Sequence, residues 1–162
     1  MVTFILSLRA IFDRLLYPSI AINFPKLKIM VCGSIGYSGG VDDIRNMYSL
    51  LEGKGFSIVN HLVQSKWMDY SGITDFRDKL DLSRQIVSHD LKYIEKTDVI
   101  VVIANGPSYG TAIEMFIAKK SGKKVILLAK DPVPTPWPIN FSDYRVTNEE
   151  ELIELLDQLQ NQ

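Results

Sequence analysis

Three short runs constrain the fold more than anything else in the chain: "LKIMVC" at 27–32, "DVIVVI" at 98–103 and "KVILL" at 124–128. A strand with one wet face alternates apolar and polar residues, whereas an unbroken apolar run needs cover on both faces. Between these runs the spacing predicts helices over 41–54 and 80–96, and another follows the loop at 104–110. "FSIVN" supplies a further strand, and a proline-rich loop, "DPVPTPWP", precedes a short one near "DYRV" and a last helix from about 148. Strands that alternate with helices must cross back over the sheet, which makes the sheet parallel and wraps it on both sides. The expected fold is α/β: a doubly wound, five-stranded parallel sheet in a flavodoxin-like or Rossmann-like three-layer sandwich.

Length and charge narrow the rest. A chain of 162 residues fits one domain with one sizeable core. Its net charge of −1 gives no broad electrostatic grip on nucleic acid. Cys32 is the single cysteine, so an internal disulfide is excluded and a reducing, cytoplasmic setting is the expectation. His61 and His89 stand apart without cysteine partners, which argues against a structural zinc site. The first 26 residues form a separate unit ahead of a domain at 27–162. Phe4, Leu8, Ile11, Phe12, Leu15 and Leu16 recur at helical spacing, predicting an amphipathic helix that ends near Pro18. Charges inside this stretch argue against a membrane span or a signal peptide, and two arginines make too thin a basic face for membrane contact. Packing on the domain or on a second subunit is the expectation.

In open parallel sheets ligands bind beyond the carboxyl ends of the strands, where strand order reverses. The loops at 33–40, 61–79 and 104–110 leave strands there. "CGSIGYSGG" is neither a dinucleotide fingerprint nor a phosphate loop with its lysine, though its amides could approach a phosphate or sugar closely. Cys32 reads as a small buried residue. Asp90 falls on the apolar stripe of its helix, four residues from both Ile86 and Ile94, where an unpaired charge is costly. A functional carboxylate and an ion pair with Arg84 or Arg77 both remain open. His89 falls toward the polar side. Glu114 also has two readings. It completes a capping box with Thr111 as the cap, or it faces a ligand whose anion rests on the hydroxyl and amides of Ser108, Tyr109 and Gly110.

Several stretches together carry a family resemblance: "CGSI…GG" at 32–40, "NH" at 60–61, "SRQIVSHDLKYIEKTDVIVV" at 83–102 and "PSYGTAIE" at 107–114, with "GKKVILL" behind. From about 27 to 158 the chain resembles the nucleoside 2-deoxyribosyltransferase superfamily. Within it, the chain is most similar to the branch of 2′-deoxynucleoside 5′-phosphate N-hydrolases and nucleotide N-glycosidases. The resemblance implies an enzyme that hydrolyses the N-glycosidic bond of a (deoxy)nucleoside 5′-monophosphate, releasing free base and sugar phosphate. Its alternatives are transfer of deoxyribose between bases and a nucleotide-binding module without turnover. Glu114 is then the nucleophile and Asp90 its partner carboxylate. Ser108 binds the 5′-phosphate, Gly33, Ser34 and Gly40 line the sugar and phosphate side, Ile35, Gly110 and Asn140 join the substrate site, and His61 lies near the base. No metal or organic cofactor is implied.

A homodimer or larger homo-oligomer is also implied, because family members borrow a site residue from a neighbouring subunit. Here the loop at 131–140 offers Thr135 and Asn140. The chain departs from the family in two places. "GYS" stands where the phosphate hydrolases carry an arginine before the glycine pair, leaving Arg45, Arg77, Arg84 or Lys66 as substitutes, and Met30 stands in place of a tyrosine. The loop at 61–79, with Trp67, Tyr70 and Phe76, is the candidate base pocket or lid.

Overall fold

The structure is a computed structural model that describes residues 26–35, 40–62 and 72–162. The amphipathic extension, Lys66, Trp67 and Tyr70 of the sequence reading therefore lie outside the described residues, apart from Lys26 at the extension's end.

Five strands form one sheet: β1 (Lys28–Gly33), β2 (Ser57–Ile58), β3 (Val99–Ile103), β4 (Lys124–Leu128) and β5 (Tyr144–Val146). Among the described residues, five helices connect and follow them: α1 (Gly40–Gly53), α2 (Leu80–Glu95), α3 (Tyr109–Lys120), α4 (Pro136–Phe141) and α5 (Glu149–Gln160). Every pairing is parallel, and the order across the sheet is β2-β1-β3-β4-β5. The chain steps outward from β1 to β2 and then back across β1 to β3, so the reversal falls between β1 and β3. Register aligns Gly33 with Ile103 and Ile103 with Leu128, which brings three strand ends level at one rim.

Successive residues of a strand point to opposite faces, and the two cores separate by that parity. Ile29 and Val31 of β1 and Val99 and Val101 of β3 face α1 and α5, meeting Ile44, Tyr48, Leu51, Leu152 and Leu156. Met30 and Cys32 of β1 and Ile100 and Val102 of β3 face α2 and α3, meeting Tyr93, Ile94, Met115 and Ala118. Each fully buried Ile, Leu or Val contributes about 1.5–3 kcal/mol, and both faces of β1, β3 and β4 draw on that term. The unbroken apolar runs are thus explained.

The proline-rich stretch is not wholly loop. Pro136 opens the short helix α4 behind an extended Thr135, because a proline's fixed φ suits a first helical turn and its missing N–H costs nothing there. The opposite edge is thin: β2 pairs with β1 through two residues, with the Val59 amide adding one bond of 2.8 Å to Ile29. Among the described residues, no helix is long and apolar enough to cross a membrane.

Candidate active site

The site forms where β1 and β3 end, and α3 sets its axis. Ser108, extended ahead of the helix, is the N-cap, and its hydroxyl accepts the Thr111 amide at 3.2 Å. Thr111 is therefore the third residue of the helix and not its cap. Glu114 lies six residues beyond the true cap, in the second turn, where a side chain has no orphan amide to satisfy. The capping-box reading falls away, and with it the dull explanation for a carboxylate in this place.

Glu114 is partly exposed and turns toward β1 and α2. Burial first, and the charge of Asp90 second, push its carboxyl up to about 7, and a hydrogen bond from the Cys32 thiol pulls the other way. Burial and the two neighbouring acids raise the Cys32 thiol well above its ordinary value, so it stays protonated.

Asp90 sits on α2 among Ile86, Tyr93 and Ile94 and is only 8% exposed. Neither arginine proposed as its ion-pair partner reaches it. Arg77 pairs with Asp75 at 2.7 Å and Arg84 with Asp81 at 3.3 Å, both in solvent. Asp90 Oδ1 is buried with no hydrogen-bond partner among the described residues. Desolvation raises this carboxyl to about 6 against a smaller opposing pull from His89. Two acids whose protons leave near neutrality thus share one end of the sheet. Such a pair can hold one proton between them while one member attacks and the other gives or takes it.

His61, at the end of the β2 segment, is buried with its Nδ1 at 2.9 Å from the Tyr48 hydroxyl. Tyr48 reaches through the first core to β1, where its oxygen accepts the Val31 amide at 3.0 Å. Burial, followed by the charge of His89, lowers His61 to about 4, so it is neutral at pH 7. His89 departs from the sequence reading. It is half-buried, stacked on Tyr93 at 4.5 Å, and its Nε2 donates to the His61 carbonyl at 2.9 Å. An aromatic ring one residue off the stripe covers the stripe's edge instead of pointing into water.

The glycine turn is tightly fitted. Ser34 is buried, with its amide donating to Asn105 Oδ1 at 3.0 Å. A Cβ on Gly40 would stand 1.8 Å from the Ser34 carbonyl oxygen, so α1 can begin there only with a glycine. Ile35 packs half-buried against the α1 face of the core. Gly110 lies exposed in the first turn of α3, beside the Ser108 hydroxyl. Thr135 and Asn140 line a separate open groove with Val133, Pro134, Pro136 and Ile139, and neither acid is part of it. One rim therefore gathers Glu114, Asp90, Cys32, Ser108 and the glycine turn, with His61 behind β1. Asn140 stays apart. Sequence reading missed Asn105, Asp43 and Tyr48; an asparagine two residues past a buried strand was the available signal for the first.

No protein-family model matches the chain, and no curated protein matches it by sequence. Solved structures do match. One is a 2-deoxyribosyltransferase from the psychrotolerant bacterium Bacillus psychrosaccharolyticus, with a TM-score of 0.58 and 16% identity over 77% of this chain and 89% of that one. Another is the CMP N-glycosidase BcmB of Clostridium botulinum, with a TM-score of 0.49 and 23% identity over 81% of this chain and 98% of that one. In fold, the chain is similar to a 2-deoxyribosyltransferase.

Proposed function

We propose that this protein is an N-glycosidase that cleaves the base–sugar bond of a (deoxy)nucleoside 5′-monophosphate. The observation that carries the reading is the pair of desolvated acids at the strand-order reversal, one of them with a buried, unpartnered oxygen. A fold pays several kcal/mol for such an arrangement, and a catalytic use accounts for it where no ion pair among the described residues does.

In the first step the acid pair, sharing one proton, reacts with that proton on Asp90, the less populated form because Glu114 is the weaker acid of the two. The Glu114 carboxylate attacks the anomeric carbon, forming a glycosyl ester. The carbon–nitrogen bond breaks, its electron pair leaves with the base, and a proton from the Asp90 carboxyl neutralises that base. In the second step water attacks the same carbon, Asp90 takes a proton from the water, and the ester bond breaks to return Glu114 as a carboxylate. Sugar phosphate and free base are the products.

The helix supports a place for the 5′-phosphate. Ser108 Oγ spends its acceptor on Thr111, which leaves its hydroxyl hydrogen to donate outward beside the amides of Tyr109 and Gly110. Six residues separate the cap from Glu114, about 9 Å along the axis. Helical side chains lean toward the N-terminus, which shortens that span for the carboxylate. The sugar ring and an attack distance of ~3 Å fill the remainder.

The first step is common to hydrolysis and to transfer onto a second base, and the fold neighbour named a deoxyribosyltransferase keeps the second reading in play. Incubation with each deoxynucleotide, with and without an excess of another free base, distinguishes them by chromatography. Base released without added acceptor is the expected result; a new nucleoside formed only with added base overturns hydrolysis. Tight nucleotide binding with no release over hours overturns both in favour of a binding module.

A further inference from the structure

Ser34, just past β1, and Asn105, just past β3, meet across the strand-order reversal, and the Asn105 side chain ties them. The Ser34 amide donates to Asn105 Oδ1 at 3.0 Å, and Asn105 Nδ2 donates to Asp43 Oδ2 at 2.9 Å. The orientation of the amide is fixed by its neighbours: an N–H can only face the oxygen, and a carboxylate can only face the NH2 group. The Ser34 hydroxyl adds a long contact of 3.5 Å to the Pro107 carbonyl. Asn105 thus joins the glycine turn, the first turn of α1 and the loop that enters α3.

There is little slack around this bridge. A Cβ on Gly33 would stand 3.3 Å from Asn105 Oδ1, and one on Gly40 would collide with the Ser34 carbonyl. Gly33 and Ser34 are pinched between Gly40 at the start of α1 on one side and Asn105 on the other. One acceptor site of Asn105 Oδ1 and one N–H of its Nδ2 are engaged inside the protein, which points the side chain to holding the loops together.

We propose that Asn105 is a positioning residue that, with Asp43, sets the width of the crevice between the glycine turn and the helix carrying Ser108 and Glu114. It thereby fixes where a bound sugar lies relative to Glu114, a statement that rests on the reading of Glu114 as the attacking group. A misplacement of ~1 Å at such a site can cost up to ~100-fold in rate.

The test uses Asn105→Ala, Asn105→Asp, Asp43→Asn and the double variant Asp43→Asn/Asn105→Asp, each checked by thermal melting. Asn105→Asp alone sets two carboxylates against each other where an amide met one. The double variant restores one amide and one carboxylate on the same heavy atoms with the same net charge, and the carboxylate at 105 still accepts from Ser34. The first readout, amide hydrogen exchange at Ser34, needs no substrate. Exchange rises ~10-fold in Asn105→Ala and Asn105→Asp and returns to near wild type in the double variant, while Asp43→Asn changes it least. The second readout is kcat and KM for base release from the deoxynucleoside 5′-monophosphate that the wild type turns over fastest. kcat falls ~10- to 100-fold in the two single variants at 105 and recovers in the double variant.

Unchanged Ser34 exchange in Asn105→Ala overturns the bridge. Recovered exchange with kcat still depressed in the double variant overturns its role in positioning the sugar. Should Asn105→Ala fail to fold, the comparison of Asn105→Asp with the double variant decides the same question. A wild type that releases no base refutes the glycosidase reading by itself, and the exchange measurement still decides whether Asn105 holds the crevice.

Discussion

Asp90 and Glu114 matter because each sits where its charged form is disfavoured, and that has measurable consequences for stability and rate. Both folded carboxyls lie above their ordinary values, so between about pH 4 and pH 7 the folded state keeps protons that the unfolded state has lost. Stability therefore declines as pH rises through that window and levels off above it. His61 has the opposite sign: with a folded value of about 4, it makes stability decline as pH falls below its ordinary 6.5. The difference between variants isolates each effect. Asp90→Asn melts higher than the wild type at pH 8, by a margin on the order of 2 kcal/mol that vanishes near pH 4. Calorimetry at the two pH values checks this, and an equal or negative margin at pH 8 refutes the unpaired-charge account.

Turnover moves the other way for the same substitution. On the proposed reading, the expected outcome for the wild type is a bell-shaped pH profile of base release with limbs near 6 and 7, the values of the acid pair. Asp90→Asn lowers the maximum, removes the descending limb and displaces the ascending limb to lower pH, because the neighbouring charge that raised Glu114 is gone. Glu114→Gln keeps the fold and is expected to lose at least ~1,000-fold in rate, since the attacking carboxylate is replaced by a neutral amide. Near-normal release in that variant ends the nucleophile assignment.

At the scale of elements, Ser108 caps α3 and, on the proposed reading, also holds the 5′-phosphate, two roles that one substitution separates. Ser108→Ala removes the cap of α3 and costs ~1 kcal/mol, visible in melting with no ligand present. It also raises KM for nucleoside 5′-monophosphates while leaving free nucleosides unaffected; an equal rise for both refutes the phosphate role. The helices and strands themselves were legible because burial on both faces leaves so distinct a pattern: "VIVVI" and "KVILL" read as strands and fold as β3 and β4. Failures of reading came where a local rule had two candidate residues or where tertiary contacts decided. Ser108 and Thr111 are both good caps, and sequence alone could not choose between them. Four prolines suggested a loop, yet Pro136 starts a helix. The nearness of Asp90 to Glu114 was implied only through a family resemblance, and the bridge made by Asn105 had only its place after a buried strand to announce it, because its partners lie 71 and 62 residues away in sequence.

For the molecule as a whole, the surface of α3 and α4 raises the question of assembly. Tyr109, Ile113 and Phe116 are exposed along α3, and Trp137 and Ile139 continue the apolar surface on α4. Phe116 and Trp137 both pack on Phe141, at 5.5 and 6.0 Å, which makes one connected patch. We propose that this patch meets a second copy of the chain, which would also bring Thr135 or Asn140 toward a neighbouring site. Phe116→Asp then lowers the molecular mass measured by light scattering to that of the monomer and reduces base release together with it. A wild type that is already monomeric at micromolar concentration refutes the idea.

The exposed indole of Trp137 carries a practical consequence. The chain has two tryptophans, so replacing Trp67 by phenylalanine leaves α4 with the sole indole emitter. With 62% of its surface in water, Trp137 should glow at long wavelength in the isolated subunit. A shift to shorter wavelength on concentrating the protein would time the burial of that ring, giving association kinetics without a label.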